Sequence, residues 1–264
     1  MTNAVVMYSG GIGSWAAARL IIDQYAKVTL LFTDVRGEDS DCYRFIRESA
    51  AAFPDHVTLV WLTEGRTIWD VFKDDKFLGN ARLANCSKFL KQIPAKQWLE
   101  ANTSPSDTDI VIGIDWTEVH RIPAVQRAYD PYTVRFPLNE PDVRYTKQQL
   151  LDWCKSEGVD PPSMYAKGYP HANCGGGCVR AGQGQFIKLY RTDPARFAEW
   201  ENNEEEVRQH LGRDDVAILR DRRGGSTKPM TLRQLRHRIE SDDQQSLDLF
   251  DIGGCGCFVQ EENT

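Results

Sequence analysis

Apolar positions in the first half of the chain fall in short unbroken runs, separated by stretches in which they recur every three or four residues. The runs at 4–8, 27–33, 56–62 and 109–114 are apolar on both faces, which predicts strands buried from both sides. The intervening periodicity predicts helices over 14–24, 40–52 and 88–101. Such alternation predicts an α/β fold, a parallel twisted sheet with helices on both faces. Sheets of that kind bind ligands beyond the carboxyl ends of their strands. Residues 9–14, Thr33 with Asp34, and 113–121 are therefore expected to converge on one cleft.

The second half reads as helical and loop-rich. Thr146 with Gln149, and Thr231 with Gln234, fit the capping-box pattern, so helices are expected to start at 147 and 232. Further helices are expected over 179–191 and 194–211, after a loop punctuated by Pro161-Pro162 and the glycines of 175–184. No internal repeat is present, and 260–264 reads as a frayed end. This divides the chain into a nucleotide-binding domain with a cysteine motif, 1–190, and a helical extension, 191–264, ending in Cys255-Gly256-Cys257.

Composition bounds the partners. A chain of 264 residues with 41% hydrophobic content can hold one large domain with a smaller appendage. No apolar run approaches the roughly 18 residues of a membrane helix, and the chain opens on a core strand, so a cytoplasmic, soluble protein is expected. Seven cysteines with two close pairs indicate thiol or metal chemistry rather than a disulfide framework. A net charge of −6 gives no general attraction to polyanions, yet Arg220, Arg222, Arg223, Lys228, Arg233, Arg236 and Arg238 face only Asp221 within 218–238. That segment is either a solvated face or a contact for RNA or DNA phosphates.

The sharpest chemical signal is Ser9-Gly10-Gly11-Ile12-Gly13-Ser14, between the first strand and the first helix. Glycines permit positive φ and let a ligand approach the backbone, while the first amides of a helix are unpaired and carry its positive dipole end. The loop lacks the lysine of the ordinary phosphate loop and is not the dinucleotide fingerprint. A turn that merely connects strand to helix is the bland alternative. The loop closely resembles the SGGxxS turn of the PP-loop family, the adenine nucleotide alpha hydrolases, which implies contacts to ATP from Ser9, Gly10, Gly11, Ile12, Gly13 and Ser14.

Four more segments resemble the phosphoadenosine phosphosulfate reductase-like branch of that family. Leu31-Phe32-Thr33-Asp34, with Glu38 and Asp39, is similar to its second-strand signature and implies that Asp34 lies near adenosine; a helix N-cap at Asp39 or Ser40 is the structural alternative for these acids. The stretch from Cys86 through Lys91 to Pro94 resembles its cysteine-lysine-proline segment, and the stretch from Gly113 to Arg121 its GxRxxE element. Asp115 stands where that element has arginine, which leaves Lys91 and Arg121 as cations for a departing pyrophosphate, or as surface ion-pair residues. Gly168 to Cys178 resembles the glycine-tyrosine stretch ending in a cysteine pair. With Cys86 and Cys255, Cys174 and Cys178 could ligate an iron–sulfur cluster or zinc, or act as unligated redox or structural thiols. Ser87 replaces the adjacent cysteine of cluster-bearing reductases, and the later pair is spaced one residue wider. Cys42 and Cys154 read as core residues, and His120 and His171 as hydrogen-bonded or surface histidines.

The resemblance implies an ATP-dependent enzyme that cleaves ATP to AMP and pyrophosphate with Mg2+ and adenylates an acceptor, a nucleic acid or nucleotide, for sulfur transfer. A thiol or sulfur-carrier protein would bring the sulfur, Cys257 would be the catalytic thiol, and a homo-oligomer is a further expected partner state; no membrane is involved. The unmodified Ser-Gly-Gly favours ATP. The second reading is a sulfonucleotide reductase whose C-terminal cysteine attacks the substrate sulfur, and the third a noncatalytic nucleotide-binding or metal-sensing module.

Overall fold

A computed structural model describes residues 2–241, 247–249, 251 and 253. Strand β1 (Asn3–Met7) runs through the glycine turn into helix α1 (Ile12–Ile21). There follow β2 (Lys27–Asp34), α2 (Ser40–Ala51), β3 (Val57–Thr63) and α3 (Ile68–Asp74). A helical run comes next, comprising α4 (Asn85–Ser87), a π turn (Lys88–Gln92) and α5 (Ile93–Asn102). Then come β4 (Thr108–Val111), α6 (Ile122–Tyr129) and β5 (Thr133–Arg135). All five strands are parallel, in the order β3-β2-β1-β4-β5, so the expected α/β sheet is present. Successive connections run one way from β1 to β3 and then the other way to β4 and β5. The switch point lies between β1 and β4, where Val6 pairs with Val111, and strand order places the ligand crevice there.

After the sheet come α7 (Lys147–Ser156), α8 (Ser163–Ala166), α9 (Gln183–Thr192) and α10 (Pro194–Leu211). The chain then forms an antiparallel hairpin of β6 (Leu219–Asp221) and β7 (Lys228–Met230), and α11 (Leu232–Glu240). Both anticipated capping boxes form, Thr146 with Gln149 and Thr231 with Gln234, and a third, Thr67 with Asp70, starts α3. Asp39, not Asp34, caps α2.

The strand period of two explains why the β runs are apolar throughout. Ala4, Val6 and Tyr8 pack on Trp15, Phe45 and Leu150 on one side of the sheet, whereas Val5 and Met7 pack on Leu99 and Val125 on the other. A further core joins Phe72 of α3 to Phe186, Trp200, Leu219 and Leu235, drawing on residues from both sides of position 190. Cys42 and Cys154 are buried among core side chains, as expected. Among the described residues no helix is long and apolar enough to cross a membrane.

The C-terminal elements meet at Glu204, which is buried on α10. Its carboxylate accepts from the amide of Ile218 at 2.8 Å and from that of Leu232 at 2.6 Å, tying the start of β6 and of α11 to one side chain. Burial pushes this carboxyl up to about 7, against the two amides that favour its charged form. Its folded value exceeds the ordinary 4.5, so its contribution to stability is full below about 4.5 and is lost as pH rises through about 7. Glu204→Ala strands two amides and is expected to cost about 2–4 kcal/mol in urea unfolding. Glu204→Gln, which keeps one acceptor, should cost less and should flatten the loss of stability across that pH range. An alanine variant as stable as the parent would remove Glu204 from this role.

Candidate functional site: an anion cleft at the β1–β4 switch point

The glycine turn is shaped by close approach. Gly10 has φ +76°, and a Cβ there would stand 2.7 Å from the Cys42 sulfur and 2.8 Å from Ile46 Cδ1. A Cβ on Gly113 would lie 2.4 Å from the Gly13 carbonyl oxygen, so the end of β4 rests backbone against backbone on the start of α1. Gly11 is the N-cap in extended conformation and its side carries no capping group, which leaves the helix start to other donors and acceptors. The Ile12 amide donates to the Tyr165 hydroxyl at 3.0 Å, which partners the first amide of α1. Ser14 Oγ donates to the Gly11 carbonyl at 2.8 Å, and Ser9 Oγ lies 3.4 Å from it.

These groups form one wall of a cleft. Ser9, Gly11, Gly13 and Ser14 line it from the first turn, Gly113, Asp115, Glu118 and Arg121 from the loop after β4, and Lys147, Tyr165, His171 and Asn173 from the second half of the chain. Two of the three expected segments, 9–14 and 113–121, therefore converge. Arg121 pairs with Glu118, and Lys147, at the start of α7, reaches Asp115 at 4.0 Å. Asp115 also holds the loop by accepting from the Thr117 amide at 2.8 Å. Burial, and then the nearby Lys147, lower His171 below its ordinary value; Arg121 acts in the same direction, Glu118 and Asp115 against it. An uncharged imidazole thus stands beside two ion pairs at neutral pH.

The remaining expected site residues lie elsewhere. Asp34 ends β2 with its carboxylate engaged by the Arg36 amide (2.7 Å), the Tyr43 hydroxyl (2.7 Å) and the Trp61 indole N–H (3.3 Å). Lys91 is buried and paired at 3.2 Å with Glu38, itself fully enclosed, instead of lining the cleft. The other Glu38 oxygen accepts from the Cys174 amide, which holds Cys174 in a left-handed conformation, φ +58°, unusual for a residue with a side chain. The Cys178 thiol hydrogen-bonded to it, and then burial, push Cys174 well above the usual thiol range, so it stays protonated at neutral pH. Cys86 packs half-buried against the C-terminal core. Among the described residues no three Cys, His, Asp or Glu side chains gather as a metal would require, so Cys86, Cys174 and Cys178 do not by themselves fit a cluster or a zinc ion. Cys255 and Cys257 lie outside the described residues. Gly253, two positions before Cys255, forms a β-bridge with Ala181, three positions after Cys178.

The basic segment is largely neutralised within the fold. Asp221 pairs with Arg223 at 2.8 Å and Arg238 at 2.7 Å, which hold its carboxyl well below the usual range. Glu201 takes Arg236 at 2.8 Å and Arg233 at 3.5 Å, and Asp251 takes Arg222 at 3.6 Å. Five of its seven cations thus have carboxylate partners, on Asp221, on α10 and at Asp251.

Sequence reasoning missed Tyr165, Lys147 and Asn173 as cleft residues, and left His171 without a role. Gly168 to Cys178 had been noticed for its thiols, yet its contribution to the cleft comes from His171 and Asn173. Lys147 follows a capping box and carries no local mark of its destination.

No family model matches the chain, and none of the curated proteins does. Among solved structures it is similar to the phosphate complex of phosphoadenylyl-sulfate (PAPS) reductase from Candida auris, with 15% identity over 62% of this chain and 78% of that one, at a TM-score of 0.43. It is also similar to a predicted subunit of tRNA methyltransferase from Methanocaldococcus jannaschii, with 14% identity, 61% and 90% coverage and a TM-score of 0.28. The first bears the name of the family that the loop and cysteine segments resemble. Likeness of this order carries no claim about chemistry, which rests on the cleft.

Proposed function

We propose that the chain is an ATP-dependent adenylating enzyme acting in sulfur transfer. The observation that carries this reading is the meeting of the α1 amides, Arg121 and Lys147 with an uncharged His171 in one cleft at the switch point. The helix start and the two cations suit a triphosphate, whose charge exceeds what their present partners Glu118 and Asp115 supply. His171 is placed to take a proton from an acceptor hydroxyl as its oxygen attacks the α-phosphorus. The bond from that phosphorus to the bridging oxygen breaks, and pyrophosphate leaves against Arg121, Lys147 and the turn amides. Asp115 and Glu118 are the cleft carboxylates able to meet a Mg2+ that arrives with the triphosphate and neutralises part of its charge.

The adenylated acceptor is then open to displacement. The terminal sulfur of a persulfide on a thiol or carrier protein attacks the acceptor carbon and AMP departs with the original oxygen; a second thiol then cleaves the resulting S–S bond, leaving the thiolated acceptor and a disulfide. Cys257 and Cys255 are assigned to this stage, supported by the bridge that docks Gly253 beside the Cys174–Cys178 loop. The protonated state of Cys174 argues against its being the attacking thiolate.

Incubation with ATP should release AMP and pyrophosphate, while the sulfonucleotide should yield no sulfite; sulfite without pyrophosphate would replace this reading with the reductase. His171→Asn should lower kcat by about a hundredfold or more while leaving ATP affinity within about threefold. Because the His171 value is depressed, the base form persists below the ordinary imidazole range. The acid limb of the pH–rate profile should accordingly lie below pH 6.5 and vanish in the variant. Gly113→Ala, which forces the loop off α1, is expected to reduce kcat/KM about a hundredfold with the fold retained by circular dichroism. Unchanged kinetics there would show that the Gly13–Gly113 contact does not shape the site.

A further inference from the structure

Cys174 and Cys178 are joined by Gly175, Gly176 and Gly177, and the fold has no room for side chains between them. A Cβ on Gly176 would stand 2.8 Å from Met164 Cε, and one on Gly177 2.3 Å from Trp200 Cε2. Cys174, Gly175 and Gly176 are left-handed in succession, with φ of +58°, +56° and +81°, and the Gly177 amide donates to the Cys174 carbonyl at 3.1 Å. The turn is also held from outside. Glu38 accepts from the Cys174 amide, and Arg196 Nη2 donates to the carbonyl of Gly37, next to Glu38, at 2.7 Å. So tight a turn brings its first and last side chains together, and the two thiols are hydrogen-bonded to each other.

The two sulfurs are not equivalent. The contact with Cys178, and then burial, favour the protonated Cys174, so its thiol is the donor of the pair. The Cys178 sulfur is the acceptor, and it also accepts from the Arg180 amide at 3.4 Å. Both residues are half-buried, which leaves the loop open to a small reagent. Cys42 and Cys154 differ from them in being enclosed in the first core, where burial pushes both thiols up, Cys154 to about 12. Two sulfurs that start in contact need small rotations, not a new backbone path, to reach bonding distance.

We infer that Cys174 and Cys178 are a redox-active dithiol that closes to a reversible disulfide by exchange with a small disulfide compound. Cys178 attacks one sulfur of the incoming disulfide, whose S–S bond breaks and releases the first thiol. Cys174 then attacks the Cys178 sulfur, the mixed disulfide breaks, and the second thiol leaves. The protons of the two cysteines end on the two released thiols, so one protein dithiol is oxidised and one disulfide reduced. Oxidation withdraws both sulfurs from metal ligation and from persulfide chemistry. The inference does not depend on the adenylation reading, since it holds whether the cleft takes ATP, a sulfonucleotide or neither.

The test treats the reduced full chain with glutathione disulfide, alkylates free thiols with N-ethylmaleimide and digests with trypsin. Cleavage after Lys167 and Arg180 releases Gly168–Arg180, a peptide that holds both cysteines and no other. It should appear without alkyl groups and lighter by two hydrogens, and dithiothreitol should restore two alkylation sites. Cys174→Ser should trap glutathione on Cys178, whereas Cys174 in Cys178→Ser should react at least about tenfold more slowly. Should either variant lose its fold by circular dichroism, the parent peptide still decides the pairing. A peptide that stays doubly alkylated, keeps glutathione, or is linked through Cys178 to another cysteine would overturn the inference. Equal rates in the two folded variants would overturn the order of attack. Stoichiometric iron or zinc in chain purified without oxygen, lost in Cys178→Ser, would overturn it too, by making the pair metal ligands.

Discussion

The candidate site depends on one contact, the approach of the Gly113 backbone to the Gly13 carbonyl. Parallel pairing of β1 and β4 brings the two loops out side by side, but pairing alone would leave a side chain's width between them. With no Cβ on either residue, the loop after β4 rests directly on the first turn of α1. Arg121 is thereby brought to the positive end of the helix, where anions are already favoured. A glycine turn supplies amides but no formal charge. The cations must come from elsewhere, and the fold draws one from the loop after β4 and one from α7.

Both cations are held by carboxylates of the same loop. Such partly exposed pairs contribute little to stability and hold their members in place at small cost. A triphosphate can compete for Arg121 and Lys147 because it offers several negative charges near a helix start, where each carboxylate offers one. Burial, and after it Lys147, lower the His171 value, with Glu118 and Asp115 acting against them. Under the adenylation reading, one arrangement would serve two ends, holding phosphates and leaving an uncharged imidazole beside them. Tyr165 fits the same logic, since its hydroxyl satisfies the Ile12 amide until a better acceptor arrives.

How much of this could be read from the sequence depended on distance along the chain. The first strand, glycine turn and first helix are contiguous, and their pattern was enough to place them; the capping boxes at Thr146 and Thr231 likewise marked helix starts because the interaction spans only three residues. Strand β5 and the β6–β7 hairpin escaped notice because their strands have three residues each, too few for a period to show. Helix α3 begins with a box closed by Asp70 rather than by the usual Glu or Gln. At the site, Arg121 could be anticipated from its place after β4, but Lys147 and His171 reach the cleft from other elements and nothing local marks them. Lys91 shows the converse: a cation in a suggestive segment is consumed by Glu38, 53 positions away. The basic run at 218–238 is likewise paired from a distance, with counter-charges at Glu201 and Asp251 outside the run.

The buried Glu38–Lys91 pair also explains why the thiol segment and the anion cleft belong to one structure. An ion pair this enclosed is weak evidence for stability, since desolvation offsets much of the attraction, so its value lies in what it positions. Its second oxygen takes the Cys174 amide and fixes a left-handed residue that would otherwise relax. Asn173, one residue earlier, lines the cleft. A single peptide plane separates the two, so the loop that carries the thiols also supplies a wall of the cleft. Behind the Cys174–Cys178 pair Gly253 bridges Ala181 so closely that a Cβ at Gly253 would stand 2.4 Å from the Arg180 carbonyl oxygen.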